Sequence, residues 1–203
     1  MIPLSFNGTA FIPGKIICIG RNYVEHIKEL NNEVPTEMVF FNKPASSISD
    51  TLIAFRCEPV HFETELSFLY QNKQLSGVAI GLDLTKRNQQ SQLKAKGLPW
   101  ERAKAFDGSA LFSEFVSLEV PINQLSFTLH IDNKLQQHGN IDLMIHPPAK
   151  IIAELSGFMA LQENDILMTG TPKGVGQIQA GQRFTGKVYA NNQLIIEQQW
   201  IAQ

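Results

Sequence analysis

Cysteine is scarce in this sequence, since Cys18 and Cys57 are the only two among 203 residues. Neither lies in a CxxC pair or at the spacing of a zinc finger, so a structural zinc fold and a disulfide framework are both excluded. Each cysteine has apolar or mixed neighbours in the sequence. We expect both to be buried thiols.

Long apolar runs and an excess of basic charge are missing as well. No stretch approaches the roughly 18 to 20 apolar residues that a membrane-spanning helix needs, and the first residues lack the basic cluster of a secretion signal. Lys and Arg total 17 against 19 Asp and Glu, a formal net charge of −2, which does not suit a nucleic-acid backbone. We therefore expect a cytoplasmic protein whose partners include neither nucleic acids nor membranes.

Turn residues are dispersed rather than clustered. The 14 Gly and 10 Pro are spread along the chain, and no repeat or linker divides it, so we expect a single domain over residues 1–203. Segments rich in β-branched and aromatic residues predict strands at Lys15–Ile19, Met38–Phe41, His61–Tyr70, Gly77–Leu82, Gln124–Ile131, Asp165–Met168, Arg183–Ala190 and Gln193–Trp200. Asp132-Asn133 and Asn191-Asn192 predict hairpin turns, because Asn and Asp tolerate positive φ.

Helical patterns are fewer than strand patterns. They predict helices at Tyr23–Leu30, Thr85–Lys96 and Pro147–Phe158. The sequence therefore predicts a mainly β fold with a few helices, of the α+β class.

Two carboxylates share one face of the predicted strand His61–Tyr70. Its alternating pattern places Glu63 and Glu65 on the same side, because side chains two residues apart in a strand point the same way. Such a pair is also found on ordinary solvated strands, but a third acid, Asp83, ends an apolar strand where side chains commonly face a site. Three oxygen donors suit Mg²⁺, Mn²⁺ or Ca²⁺, whereas the lack of nearby Cys and of paired His argues against zinc.

Polar side chains follow Asp83 at helical spacing. Arg87 at i+4 and Gln90 at i+7 are predicted to lie on the helix face that carries the acid, pointing toward a bound cation. Lys104 comes next, among small and apolar neighbours. The alternative for these residues is a solvated surface, where the lysine extends its ammonium group into water.

A histidine and a glutamate lie on one face of the first predicted helix. His26 and Glu29 are three residues apart, so the carboxylate can orient the imidazole as a general base. The alternative is an exposed pair without a role. The polar segment that follows, Leu30–Glu37, has little apolar surface to anchor it and is predicted to form a mobile lid.

A glycine-rich turn follows the predicted strand Asp165–Met168. Residues 169–176 lack the GxxxxGK[ST] pattern and a following helix, so a P-loop is excluded. The backbone N–H groups of this turn and the Thr171 hydroxyl can bind a carboxylate, or the segment can serve only as a tight turn.

These motifs together make the sequence resemble the fumarylacetoacetate hydrolase family, and within it the short, single-domain, acylpyruvase-like branch. The resemblance runs from about Lys15 to Tyr189. It rests on five segments in this order: Gly20-Arg21-Asn22-Tyr23 with His26 and Glu29, His61-Phe62-Glu63-Thr64-Glu65, Gly81–Arg87, Lys96–Trp100 with Lys104, and Thr169–Gly176. Two departures are Asn88, where close relatives often carry Asp, and Asn164, at a turn position that is commonly Gly.

The resemblance implies a rolled mixed β-sheet core of the type found in the family's C-terminal domain, and a homodimer. It also implies one Mg²⁺ or Mn²⁺, with Ca²⁺ able to replace it in crystals, held by Glu63, Glu65 and Asp83. It assigns the remaining site residues to two roles, with His26, Glu29 and Lys104 catalytic, and Arg21, Arg87, Gln90 and Thr171 around a small 2-oxo acid substrate.

Three functions remain open from the sequence. The first, favoured because His26 and Glu29 supply a water-activating pair, is a metal-dependent hydrolase that cleaves the carbon–carbon bond of acylpyruvates to pyruvate and a carboxylic acid. The second is an oxaloacetate decarboxylase or tautomerase, or an isomerase of unsaturated diacids, which uses the same enolate but needs no base for water. The third is a non-catalytic β-rich binding protein, and the intact acid set argues against it.

Overall fold

The computed structural model describes residues 2–31, 33 and 35–203. Within these ranges the chain forms sixteen strands and four α-helices. The strands are β1 (Leu4–Phe6), β2 (Thr9–Phe11), β3 (Ile16–Gly20), β4 (Val39–Lys43), β5 (Val60–Phe62), β6 (Thr64–Gln71), β7 (Gln74–Asp83), β8 (Thr85–Lys86), β9 (Ala110–Phe112), β10 (Val116–Ser117), β11 (Leu125–Ile131), β12 (Lys134–Asn140), β13 (Asp165–Met168), β14 (Gly176–Gln177), β15 (Arg183–Ala190) and β16 (Gln193–Ile201). The helices are α1 (Val24–Glu29), α2 (Arg87–Ala95), α3 (Glu101–Lys104) and α4 (Pro148–Leu155).

The strands build a curled, mixed half-barrel. Its seven-stranded sheet has the order β10-β7-β6-β13-β3-β4, with β9 also paired to β7. The pairing of β3 with β13 is parallel and the other pairings are antiparallel, which makes the sheet mixed. A four-stranded antiparallel sheet, β12-β11-β15-β16, packs against it. The predicted mainly β fold with a rolled mixed sheet is confirmed.

The central strands are buried on both faces, as expected for strands covered on two sides. In β3 the four residues Ile16–Ile19 are all buried. Ile17 and Ile19 join a core that includes Phe127 from the four-stranded sheet. Ile16 and Cys18 join a second cluster on the other face, around Phe115, and the β1–β2 hairpin covers that cluster.

Asparagine and aspartate form the turns that the sequence predicts. Asp132 and Asn133 have φ of 49° and 66°, and Asn191 and Asn192 have φ of 50° and 63°. Both pairs connect antiparallel strands, β11 to β12 and β15 to β16. Asn164 has φ of 69°, so it adopts the left-handed conformation at a position that is commonly Gly.

Two of the element boundaries that differ from the prediction lie at the site. The predicted strand His61–Tyr70 is interrupted at Glu63, because β5 pairs with β8 and β14 whereas β6 pairs with β7 and β13. The predicted helix Thr85–Lys96 begins at Arg87, because Thr85–Lys86 pairs with Val60–His61 as strand β8. Sheet pairing over a distance overrides the local helical pattern at those two residues.

The prediction that both cysteines are buried is correct for Cys18 and wrong for Cys57. Cys57 is exposed and has φ of 65°, in a turn between the charged residues Arg56 and Glu58. Residues 55–57 are all exposed, so this turn lies on the surface and does not bury the thiol. In the described ranges, none of the helices has the length and apolar character needed to cross a membrane.

Candidate active site

Three carboxylates meet where the seven-stranded sheet passes into the three-stranded sheet β14-β5-β8. Glu63 lies at the break between β5 and β6, Glu65 is the second residue of β6, and Asp83 ends β7. The Asp83 backbone N–H donates to the Glu63 carbonyl at 2.8 Å, which holds the two strand ends together. One ligand oxygen from each carboxylate lies within 4.8 Å of the others, and the residues expose only 6%, 1% and 1% of their surface. These acids are buried rather than on a solvated strand face.

Among the described residues, the cations of the site pair with Glu63 and Asp83 and not with Glu65. Burial, with the Asp83 and Glu63 carboxylates, raises the pKa of Glu65 well above its ordinary value. The Gly170 N–H donates to Glu65 Oε2 at 2.7 Å, and Asp83 Oδ1 is buried without a well-directed hydrogen bond. Crowded carboxylate oxygens of this kind are the donor set that Mg²⁺, Mn²⁺ and Ca²⁺ prefer. The residues therefore fit a divalent cation.

Lys104 lies inside this acidic cluster. Its Nζ is 2.8 Å from Glu63 Oε2, 2.6 Å from Asp83 Oδ2 and 2.7 Å from Thr85 Oγ1. Burial alone would lower the pKa of Lys104, but the Asp83 and Glu63 carboxylates raise it above its ordinary value. Burial alone would raise the pKa of Glu63, and the charges of Lys104, Arg87 and His26 instead bring it far below its ordinary value. The side chain is not a surface lysine.

A second buried lysine, Lys43 at the end of β4, was not found from the sequence. It is fully buried, and its Nζ lies 2.9 Å from Asp83 Oδ1 and 2.9 Å from the Ser109 carbonyl oxygen. Its ammonium group also donates to the Lys104 carbonyl. Lys43 thus joins the backbone of the α3 lysine to the third carboxylate. In the sequence it ends an apolar strand, a pattern that a surface lysine also shows.

Arg87 and Gln90 both reach the site, but not by the predicted route. Because α2 begins at Arg87, Asp83 is not on the same helix, and the predicted shared helix face is wrong. Arg87 instead forms an ion pair with Glu63 through Nη2 and donates from Nη1 to Gln90 Oε1 at 2.7 Å. The guanidinium therefore lies beside the first carboxylate and is held by the amide one turn along.

His26 and Glu29 form the expected pair on α1. His26 Nδ1 lies 3.2 Å from Glu29 Oε2, and the imidazole is buried. The Glu29 carboxylate is held by the Gly174 N–H, which donates to Oε1 at 2.9 Å. A carboxylate accepts only, so Nδ1 carries a proton in this pair, and in the neutral imidazole Nε2 is the nitrogen without one. The glycine-rich turn therefore supports the imidazole through Glu29.

The glycine-rich turn also brings Thr171 to the site. Its neighbour Gly170 donates to Glu65, and the Thr171 hydroxyl is buried and bonded to the Gln137 side chain. The backbone N–H groups that the sequence offered to a substrate carboxylate bind carboxylates of the protein itself, at Gly170 and Gly174.

A cavity of about 30 Å³ lies beside the acids and is lined by six of the predicted residues: Arg21, His26, Glu63, Arg87, Gln90 and Lys104. It shares four lining residues with a larger cleft of about 670 Å³: Arg21, Phe41, Lys94 and Trp100. Glu65 and Asp83 complete the acid triad, and Glu29 lies behind His26. Thr171 does not line this cavity, although its neighbour Gly170 donates to Glu65. Of the predicted lid Leu30–Glu37, Asn32 and Val34 lie outside the described residues.

Comparisons with known proteins agree with this fold. Residues 15–197 match the family model described as fumarylacetoacetate (FAA) hydrolase, C-terminal. The mitochondrial oxaloacetate tautomerase of Saccharomyces cerevisiae is 35% identical over 90% of each chain, and the mitochondrial oxaloacetate decarboxylase of Dictyostelium discoideum is 36% identical over 83% of this chain and 85% of that one. The crystal structure of fumarylpyruvate hydrolase from Pseudomonas aeruginosa, in complex with Mn²⁺ and pyruvate, has a TM-score of 0.88 and 28% identity, covering 99% of this chain and 95% of that one.

The half-barrel sheet and its buried acid cluster define a class of enzyme rather than a binding scaffold. The chain belongs to the fumarylacetoacetate hydrolase family, and within it to the short, single-domain branch.

Proposed function

We propose that this chain is a divalent-metal-dependent enzyme that interconverts the keto and enol forms of oxaloacetate and also decarboxylates this acid. The observation that carries the proposal is the buried cluster of Glu63, Glu65 and Asp83 with Lys104 among them, because it suits a reaction that develops negative charge on a 2-oxo oxygen. Two relatives are named as enzymes that act on oxaloacetate, and they favour this acid among the possible 2-oxo acid substrates. They support this reading better than the acylpyruvate hydrolase that the sequence favoured.

The cation would be held by Glu63, Glu65 and Asp83, with Mg²⁺ or Mn²⁺ suited to their oxygens. When bound, it supplies Lewis-acid polarisation of the 2-oxo group. Arg87 has five N–H donors in its guanidinium, and Gln90 and Glu63 occupy two of them. Donors therefore remain for a substrate carboxylate, and Arg21 lines the same cavity.

Tautomerisation moves one proton between C3 and the 2-oxo oxygen. In the keto-to-enol direction, His26 Nε2 takes the proton from C3 and the C–H electron pair forms the C2=C3 bond. The 2-oxo oxygen gains the negative charge, which the Lys104 ammonium stabilises in a buried site until a proton returns to that oxygen. Glu29 keeps the imidazole in the tautomer that this step needs.

Acylpyruvate hydrolysis is the second candidate function. The His26–Glu29 pair supports it, because the same Nε2 can deprotonate a water that attacks the distal carbonyl. The Pseudomonas aeruginosa relative with Mn²⁺ and pyruvate supports it as well.

A substrate panel separates the two functions. Purified chain is assayed with Mg²⁺ and with EDTA for loss of enol absorbance and carbon dioxide release from oxaloacetate, and for pyruvate release from acylpyruvates. We expect metal-dependent enol loss to be the fastest activity. Glu63→Gln should abolish it, whereas Glu119→Gln, the same change at an exposed residue, should not. Faster pyruvate release from an acylpyruvate than enol loss from oxaloacetate would contradict the proposal.

Three further expectations remain predictions: a single domain over residues 1–203, a homodimer and a cytoplasmic location. Light scattering of the purified chain measures the oligomeric state directly.

A further inference from the structure

Gln137 is a buried amide that neither the sequence motifs nor the proposed mechanism uses. It lies on β12 and exposes 1% of its surface, whereas the neighbouring Gln136 and His138 are exposed. A buried amide is costly unless its polar atoms find partners. Its hydrogen bonds therefore show which atoms the structure holds in place.

Three hydrogen bonds fix the orientation of the Gln137 amide. Its Oε1 accepts from the Thr64 backbone N–H at 3.1 Å. Its Nε2 donates to Thr171 Oγ1 at 2.8 Å and to the Pro172 carbonyl at 2.9 Å. A flipped amide would place an NH₂ group against the Thr64 N–H and an oxygen against the Pro172 carbonyl. The orientation of the amide is thus set by its partners.

This orientation determines what the Thr171 hydroxyl can do. Because Nε2 is a donor, Oγ1 is an acceptor in that bond, and the hydroxyl hydrogen is left to donate elsewhere. Among the described residues, this hydrogen donates to the Pro172 carbonyl at 3.4 Å, which already accepts from Gln137 at 2.9 Å. The carboxylate of a bound substrate would offer a stronger acceptor than that long contact.

The other end of the amide reaches the acid cluster. Thr64 lies between Glu63 and Glu65, at the break between β5 and β6. The residue before Thr171, Gly170, donates to Glu65. Gln137 therefore links the Thr64 backbone, which lies between two of the acids, to the Thr171 hydroxyl in the glycine-rich turn.

We propose that Gln137 is a positioning residue, whose amide keeps the Thr171 hydroxyl as a donor toward the carboxylate of a bound 2-oxo acid. This inference rests on the proposed function, and it adds the Thr171 hydroxyl to the donors that Arg87 offers a substrate carboxylate. Gln137 itself contacts neither the substrate nor the cation.

The test is a double-mutant cycle on oxalate binding, measured by titration calorimetry at saturating Mg²⁺. Gln137→Glu keeps the shape and the acceptor for Thr64 but replaces the Nε2 donor by an acceptor, which would capture the Thr171 hydrogen. We expect oxalate affinity to fall about tenfold or more, the size of one hydrogen bond to a charged group. Gln193→Glu, the same change at an exposed residue of β16, should bind like the wild type.

The dependence on Thr171 distinguishes positioning from a general structural role. Thr171→Val should lose a similar factor, and adding Gln137→Glu to it should cost little more, because the hydroxyl is already absent. In the Thr171→Ser background, which keeps a hydroxyl, Gln137→Glu should again cost about tenfold. If Gln137→Glu fails to fold, Gln137→Met goes through the same cycle.

Additive losses in the Thr171→Val background, or unchanged oxalate affinity in Gln137→Glu, would overturn the inference. Oxalate binding does not depend on turnover. If the variants show the expected cycle in oxalate binding but the wild type leaves oxaloacetate unchanged, the proposed function is wrong and the inference is supported. A wild-type chain that binds no oxalate would overturn both.

Discussion

Removing the ammonium group of Lys104 tests the electrostatic account of the site. Lys104→Met keeps an unbranched apolar chain but deletes the charge that lies 2.8 Å from Glu63 Oε2 and 2.6 Å from Asp83 Oδ2. All three side chains are buried, so water cannot replace the lost partner. The variant therefore leaves carboxylate charge in the interior with less compensation.

Breaking a buried ion pair by removing one partner costs about 3–5 kcal/mol. For a chain of this size each kcal/mol lowers the melting temperature by about 2–4 °C, so the expected loss is about 6–20 °C. Lys43 remains 2.9 Å from Asp83 Oδ1, and Arg87 remains paired with Glu63. These two cations place the expected loss in the lower half of that range.

The measurement is thermal unfolding in EDTA and again with Mg²⁺. The matched control is Lys187→Met, which removes an ion pair with Glu197 at 3.2 Å whose side chains are 28% and 39% exposed. Such a pair contributes about 0.2–1 kcal/mol, so the control should melt close to the wild type. Mg²⁺ should restore part of the stability of Lys104→Met. A Lys104→Met protein that melts in EDTA like the control would refute the reasoning.

Three other predictions follow from the same geometry. Burial and two neighbouring carboxylates raise the pKa of Glu65, so this carboxyl must lose its proton before a cation binds. Mg²⁺ affinity, measured by calorimetry, should therefore rise with pH until that pKa is passed. An affinity that does not change with pH would contradict this. His26→Ala should lower the rate of enol loss by a factor of about 10²–10⁴, and Glu29→Gln should lower it by less, while carbon dioxide release is retained to a larger extent. Equal losses of the two activities would assign His26 to a step common to tautomerisation and decarboxylation. Gly174→Ala should lower both stability and enol loss, because φ is 98° there and a Cβ would lie 2.2 Å from the Gln136 carbonyl oxygen; an unchanged melting curve would count against it.

The candidate site was predictable where its residues are close in sequence or carry distinctive chemistry. The Glu63–Glu65 pair follows from strand periodicity, and the His26–Glu29 pair follows from helical spacing. Both spacings are short enough for the local backbone to decide which side chains share a face. The helical spacing from Asp83 to Arg87 failed as a guide because a distant strand pairs with Thr85–Lys86 and delays the helix.

The contacts of Lys43 and Gln137 were not predictable. Lys43 reaches the Lys104 carbonyl across 61 positions, and Gln137 reaches Thr64 across 73. Local patterns carry no signal for such contacts, and a single buried Lys or Gln looks in sequence like a surface residue.

The sequence by itself determined the mainly β class, the hairpin turns and the family, because backbone preferences at Asn and Asp and the order of short motifs are local properties. Only the tertiary structure decided that Glu63 falls at a strand break, that Lys104 lies among the acids and that Cys57 is exposed. These outcomes depend on which strands pair over long distances. Burial and charge at the site follow from those pairings rather than from any neighbouring residue.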